Sequence, residues 1–385
     1  MFDTLAFEGV GDVHVACDPD SGLKAIIAIH STKLGPALGG CRFVHYKNEE
    51  AALEDACRLA KSMSYKAATA GLASGGGKSV IIKSGKDDRH IDREKLFTAF
   101  GRFVDTLQGR YITAVDSGTS PSDMDIIAKQ TNFVSSTTNS GDPSPYTAEG
   151  VLAGIYAAVE HKFNTHKLEG LHFAIQGLGH VGASLAEKLA RAGAQLTVAD
   201  LDERRCQRLA SEFGAKISSA QQIHRSHCDV FVPCALGGII SNTTLPELNC
   251  AVVAGSANNQ LSEEWLDHSL HTQGILYAPD YVINAGGLIY CTLQRTNTDQ
   301  TVIDQTIHNI QNTLRDIFKQ SEKDNMPPSL IADHFAEVRL YGAPLERHNI
   351  PVLNSDNNSN NSLANSIKNN LDNNDQGGRY AIHSR

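Results

Sequence analysis

The chain has 385 residues, 41% hydrophobic and 20% charged, with a formal net charge of −9 and a pI near 6.0. This balance suits a soluble globular protein of two domains and argues against wholesale nucleic-acid binding, while a local basic patch stays compatible with it. No run of about 18 apolar residues is present to span a membrane, and MFDTLAFEGV lacks the basic start and apolar stretch of a secretory signal. The cysteines are scattered without a C-x-x-C pair, so they read as reduced thiols and a cytoplasmic location is expected. His224-x-x-His227 has no further ligand at metal spacing, and no metal is expected.

Residues 23–30, LKAIIAIH, form a strand-like apolar run that ends in a turn-rich loop, STKLGPALGG, at 31–40. Leu53, Ala56, Leu59, Ala60 and Met63 recur at i, i+3, i+4 spacing, which predicts an amphipathic helix over 50–64. Strands are expected at 79–82 and 110–115 with a helix at 92–107 between them. PSDMDIIAKQ, 121–130, opens a further helix with its proline and acids. Residues 1–135 thus read as one α/β domain. From about 147 a long helix leads into short apolar runs that alternate with helices, the sequence form of a parallel, doubly wound sheet over 140–325. The stretch 301–345 is helical, and the part at about 325–350 is expected to pack back on the first domain. Between 354 and 374 stand ten asparagines; such a segment cannot bury enough surface to offset its ordering entropy, and 354–385 reads as a disordered tail.

Two constellations carry chemistry. Gly177-x-Gly179-x-x-Gly182 follows a strand and opens a helix. There the first glycine permits a tight turn, the second close approach of a pyrophosphate and the third helix–strand packing, with the diphosphate at the helix N-terminus. Asp200 ends the next strand, where its carboxylate accepts from both ribose hydroxyls and repels a 2′-phosphate, so NAD is favoured over NADP. The second constellation is MSYKAATAGLASGGGKSVII, 63–82, in which Lys66 and Lys78 bracket small residues. Desolvation and a neighbouring cation make such an amine shed its proton near neutral pH, and Gly75–Gly77 would let backbone approach a ligand. GGGKS is not a phosphate loop, since Leu72 stands where that pattern needs glycine and a strand follows. Asp116, after a predicted strand, would supply a proton-shuttling acid. Lys66 also fits a helix-end surface charge, and Asp116 a helix cap.

At these residues the chain resembles the Glu/Leu/Phe/Val dehydrogenase family, most closely the leucine dehydrogenases within it. The resemblance covers about 8–345 through GPALGGCR (35–42), the lysine block, ITAVDSGTSPSDMD, DPSPYTAEG (142–150), CDVFVPCALGG, GSANNQL (255–261) and APDYVINAGG (278–287). It implies two α/β domains, an amino acid dehydrogenase domain and a Rossmann NAD-binding domain, with the cleft between them. It also implies reversible oxidative deamination of an L-amino acid to a 2-oxo acid and ammonium, with NAD as hydride acceptor, in a homo-oligomer, commonly an octamer or hexamer. By matching position, Lys66 would hold the substrate carboxylate, Lys78 would activate the attacking water and Asp116 would handle protons on the amino group. Gly39 and Gly40 would line the substrate end, and Thr147, Ala235, Asn258 and Asn284 would lie along the coenzyme. Glutamate enzymes carry a lysine before the Gly-Gly pair; here Leu38, with Met63 and Ala114, makes an apolar pocket for a branched aliphatic chain. Ile307 and Ile310 are expected to narrow it, which predicts overlapping use of leucine, valine and isoleucine. Two departures stand out: Val115 replaces the usual Glu before Asp116, and Cys41 replaces a common threonine. The rival readings are an aromatic (phenylalanine) dehydrogenase and a non-catalytic NAD-binding sensor.

Overall fold

Apolar runs rich in Ile, Val and Ala gather into two separate sheets. The computed structural model describes residues 2–83 and 91–343; the expected tail at 354–385 lies outside the described residues. The first half runs α1 (Phe2–Glu8), β1 (Asp12–Asp18), β2 (Leu23–Ser31), β3 (Ala37–Val44), α2 (Glu49–Thr69), β4 (Gly75–Ile82), α3 (Arg93–Asp105), β5 (Tyr111–Val115) and α4 (Pro121–Ala128). Its strands order as β1-β2-β4-β3-β5; β2 is antiparallel to β1 and β4, and β3 is parallel to β4 and β5. Asn48 starts α2 by accepting the Ala51 N–H at 2.9 Å, with Glu49 and Glu50 in the favourable first turn. The Ala52, Ala56, Cys57 and Ala60 face of α2 then covers Ile26, Ala28 and Val80. Phe97, Phe100, Met124 and Ile127 of α3 and α4 cover the opposite face.

Two expectations change here. The loop expected at 31–40 shrinks, because residues 37–44 form the strand that lies between β4 and β5. Its glycines are strand residues because no side chain fits: a Cβ on Gly39 would lie 1.7 Å from the Gly77 carbonyl oxygen. Gly75–Gly77 likewise serve packing rather than approach to a ligand. A Cβ would lie 2.0 Å from Ser31 O at Gly75, 2.0 Å from Ser64 N of α2 at Gly76 and 2.8 Å from the Tyr111 ring at Gly77.

The second half runs α5 (Ser144–Phe163), β6 (His172–Gln176), α6 (His180–Arg191), β7 (Gln195–Ala199), α7 (Glu203–Phe213), β8 (Lys216–Ile217), β9 (Val230–Pro233), β10 (Val252–Val253), α8 (Leu266–Thr272), β11 (Leu276–Tyr277), α9 (Asp280–Ile283), α10 (Gly286–Arg295), α11 (Gln300–His308), α12 (Ile310–Asp324) and α13 (Pro328–Tyr341). Every strand pair is parallel, in the order β11-β10-β9-β6-β7-β8. That is a doubly wound, Rossmann-type sheet whose order reverses between β6 and β9, the place where sheets of this kind bind ligands beyond the C-terminal strand ends.

Helix α13 returns to the first half. Tyr65 of α2 donates its hydroxyl to Glu337 of α13 at 2.9 Å, and Ala68 meets Ala336 and Leu340. Asp267 of α8 holds the start of α13 by accepting the Ser329 N–H at 2.9 Å. Burial pushes the Asp267 carboxyl up to about 6, against the Ser329 hydrogen bond and with help from the Asp333 charge. Because its folded pKa lies above the unfolded one, stability falls as pH rises from about 4 to 6. Asp267→Asn, which keeps an acceptor without the charge, is expected to raise Tm at pH 8 by about 2 °C or more. The gain should vanish near pH 4 in thermal melts; a lower Tm for Asp267→Asn at pH 8 contradicts it.

Candidate active site

The parallel ladder around β3 brings the key groups together. Leu38 pairs with Gly76 and Cys41 with Ser79, which sets Gly40 beside Lys78; on its other side Gly40 pairs with Ala114, and Asp116 follows two residues on. Lys78 Nζ and Asp116 Oδ2 are in direct contact. Gly40 has no room for a side chain, since a Cβ would lie 2.7 Å from Asp116 Cβ. The Asp116 backbone N–H donates to Thr119 Oγ1 at 2.9 Å and the Ser117 N–H to Asp116 Oδ1 at 2.7 Å, which fixes the carboxylate at the strand end.

The electrostatics of this pair follow from burial. Burial lowers the Lys78 ammonium below the ordinary lysine value, while the Asp116 charge opposes the shift. For Asp116 burial works upward, but Lys78 and Arg42 more than offset it and hold the carboxyl below its usual range. Val115 packs toward the α3 and α4 core, away from this pair, and Cys41 is buried in the same core.

Lys66 stands in the last turn of α2 and reaches across to the second half. Its Nζ donates to Asn258 Oδ1 at 3.4 Å, and that oxygen also accepts from Asn284 Nδ2 at 2.8 Å. Part of the side chain is open to the cleft, yet protein surrounds it closely. Burial lowers its pKa to about 8, with Asp280 raising and Lys78 lowering it. Asn284 Oδ1 is buried without a hydrogen-bond partner, the kind of orphan acceptor that a ligand donor satisfies.

Across the sheet switch point, Gly177 has a φ of +94° and lies against Ala235, and a Cβ on Gly182 would sit 2.0 Å from the Gly177 carbonyl oxygen. Gly179 caps α6 and has open space where its Cβ would be. That is the cradle a diphosphate needs, with free N–H groups and the positive helix end facing it. Asp200 accepts the Leu178 N–H at 2.6 Å and the Asp202 N–H at 2.8 Å. Thr147 Oγ1 lies 2.6 Å from where Gly287 would carry a Cβ, beside the turn that holds Asn284. These residues fit a nicotinamide dinucleotide.

Residues 8–133 match the sequence family described as Glu/Leu/Phe/Val dehydrogenase, dimerisation domain, and residues 198–338 match Glutamate/Leucine/Phenylalanine/Valine dehydrogenase. The chain belongs to the Glu/Leu/Phe/Val dehydrogenase family. It is 47% identical to the leucine dehydrogenase of Geobacillus stearothermophilus over 84% of this chain and 88% of that protein. It is also 42% identical to an L-tryptophan dehydrogenase of Nostoc punctiforme, over 88% of this chain and 96% of that one. The crystal structure of L-tryptophan dehydrogenase from Nostoc punctiforme superposes with a TM-score of 0.79 at 41% identity, covering 89% and 99% of the two chains. This chain is therefore an amino acid dehydrogenase, an NAD(P)-dependent oxidoreductase of oxidative deamination.

Within this dehydrogenase, Leu38 clusters with Ala67, Leu72 and Ile112, and Met63 packs against the cluster. Ile307 and Ile310 belong to the same buried cluster as Leu38. Both are buried core residues, and Ile310 Cδ1 lies over Gly150 of α5, 2.8 Å from where its Cβ would stand. Helix α10 also meets the segment after α4: Cys291 Sγ lies 3.7 Å from Ser136 Oγ, and Arg295 Nη1 donates to Asn132 O and Val134 O at 2.9 and 3.1 Å. Leu288, one turn before Cys291, is buried on the same helix. Reading the sequence also left Arg42 and Asp280 without roles, although both stand in the quoted GPALGGCR and APDYVINAGG blocks. Their signal was a charge among small residues, and only the fold turned those charges toward the lysines.

Proposed function

We propose that this chain is an NAD-dependent branched-chain amino acid dehydrogenase, converting leucine, valine and isoleucine reversibly to 2-oxo acids and ammonium. The observation that carries the reading is the contact of Lys78 with Asp116 beside Gly40, on the face of β3 that also carries Leu38. Lys66 holds the substrate carboxylate. Lys78, poised by burial, takes the proton of the attacking water, and Asp116 moves protons to and from the substrate nitrogen. Gly39 and Gly40 keep the floor free of side chains, while Leu38, Met63 and Ala114 accept an aliphatic chain; a second carboxylate buried there would lack a partner. NAD, when bound, would supply the hydride acceptor for the substrate Cα. Gly177, Gly179 and Gly182 hold its diphosphate, Asp200 takes the ribose hydroxyls and disfavours a 2′-phosphate, and Thr147, Ala235, Asn258 and Asn284 flank its other end. The working form is a symmetric homo-oligomer, an octamer or hexamer, which light scattering distinguishes.

The test follows NADH absorbance with each amino acid and with NAD or NADP. Leucine, valine and isoleucine should all be used, because one methylene discriminates by only about 1–3 kcal/mol. Their kcat/KM should exceed that of phenylalanine by at least about tenfold, and NAD should exceed NADP likewise. A preference of the same size for phenylalanine or tryptophan makes the enzyme an aromatic amino acid dehydrogenase.

A further inference from the structure

Asp116 is flanked by two cations, and the function above uses only Lys78. The other is Arg42, two residues after Gly40 on β3 and on the same face of the sheet. Its guanidinium is anchored from behind: Nη1 donates to Asp55 Oδ2 at 2.8 Å, and that carboxylate also receives the Tyr46 hydroxyl at 2.7 Å and Arg58 Nη2 at 2.9 Å. Arg42 Nε lies 3.5 Å from Asp116 Oδ2, is shut off from solvent and has no hydrogen-bond partner. A buried N–H without an acceptor is costly to maintain, and one aimed at a carboxylate is a donor in waiting. The guanidinium keeps its charge whatever Lys78 does.

We propose that Arg42 is a positioning residue for the proton-transfer pair, its free Nε–H taking up the Asp116 carboxylate whenever Lys78 turns from it toward the substrate. The inference rests on the reading that Lys78 and Asp116 carry the chemistry. To act on water the Lys78 amine must leave Asp116, and a buried carboxylate so abandoned would capture a proton. A fixed donor at 3.5 Å prevents that with a sub-ångström movement. Lys78 carries one proton between the attacking water and solvent, and Arg42 gives up none.

Charges around the pair come from several elements. Lys66 of α2, itself beside Asp280 of α9, lies near the pair, Cys41 and Tyr111 lie within the sheet, and Asp55, Tyr46 and Arg58 stand behind Arg42. Arg42 lowers the pKa of both partners, whereas Asp55 raises that of Lys78. Loss of either therefore moves Lys78 in opposite directions.

The experiment compares the pH profile of kcat for L-leucine oxidation by NAD in the wild type, Arg42→Met, Arg42→Lys and Asp55→Asn, with folding checked by thermal melts. Arg42→Gln replaces Arg42→Met if the latter does not fold. Without the cation Lys78 keeps its proton to higher pH, so the rising limb should move up by about 1 pH unit in Arg42→Met. Arg42→Lys should return the limb toward wild type, and Asp55→Asn should move it downward. An unmoved limb in a folded, active Arg42→Met overturns the proposal, as does a shift of the same sign in Asp55→Asn or a limb that Arg42→Lys leaves displaced. Lys78→Ala separates the failures. If it retains turnover, the site reading itself is wrong; if it is dead while the Arg42→Met limb stays in place, only the role of Arg42 falls.

Discussion

Lys78→Ala is expected to lower kcat for L-leucine oxidation by about 10²- to 10⁴-fold, the range of a positioned general base. NADH affinity should stay within about twofold, since the proposed coenzyme cradle stands on α6 and the second sheet. The two readouts together isolate chemistry from binding. Burial lowers the Lys78 pKa below that of a free lysine, so wild-type kcat should rise with pH and level off before about pH 10.4, where an exposed amine would be half neutral. That limb should be missing from the residual activity of the variant. The Asp116 carboxylate left behind still has Arg42 3.5 Å away, so the variant is expected to fold. Turnover within tenfold of wild type, or parallel loss of NADH binding, rules out the assigned role.

Neighbouring glycines on β3 should fail in different ways. In Gly39→Ala the new Cβ meets the Gly77 carbonyl oxygen at 1.7 Å and the Lys78 backbone nitrogen at 3.1 Å. Both belong to the adjoining strand and neither can rotate aside, so the cost is about 4 kcal/mol or more, with little folded protein. In Gly40→Ala the nearest atoms are Asp116 Cβ at 2.7 Å and the Val115 carbonyl oxygen at 2.9 Å. The strand end yields more readily than a ladder between two partners, so this variant should fold with a modestly lower Tm. Asp116 is pushed off its contact with Lys78, and a displacement near 1 Å costs on the order of 10² in kcat. Thermal melts and NADH formation measure the two effects. Equal losses of Tm, or wild-type turnover in Gly40→Ala, would show that the carboxylate position does not govern the reaction.

The second half of the fold was the more legible from sequence, for a physical reason. Strands buried on both faces, such as FAI at 173–175 and VFVP at 230–233, read as continuous apolar runs with helices between them. The glycine turn at 177–182 has a mechanism attached to each position. In the first half, β3 hides because Pro36, Gly39 and Gly40 look like punctuation, whereas the glycines are there to let Gly77 and Asp116 come close. The strand β1, DVHVACD with its mixed exposure, carries no clear alternation either. At the site, Lys66, Lys78 and Asp116 were nameable from spacing and resemblance. Arg42, Asp55 and Asp280 were not, since their relation to the lysines is made by register and by the α2 crossing rather than by distance along the chain. Ile307 and Ile310 were named from resemblance alone, and Ile310 packs against Gly150 of α5.

The staple between Tyr65 and Glu337 joins positions 272 residues apart, and this dictates when the substrate half becomes whole during synthesis. Both sheets are already out of the ribosome when α13 is still being made, so the Tyr65 and Ala68 side of α2 waits bare until α13 emerges. Lys66, proposed above to hold the substrate carboxylate, sits on α2 as well. A nascent chain that has not yet reached Pro328 would therefore carry α2 with one side still uncovered.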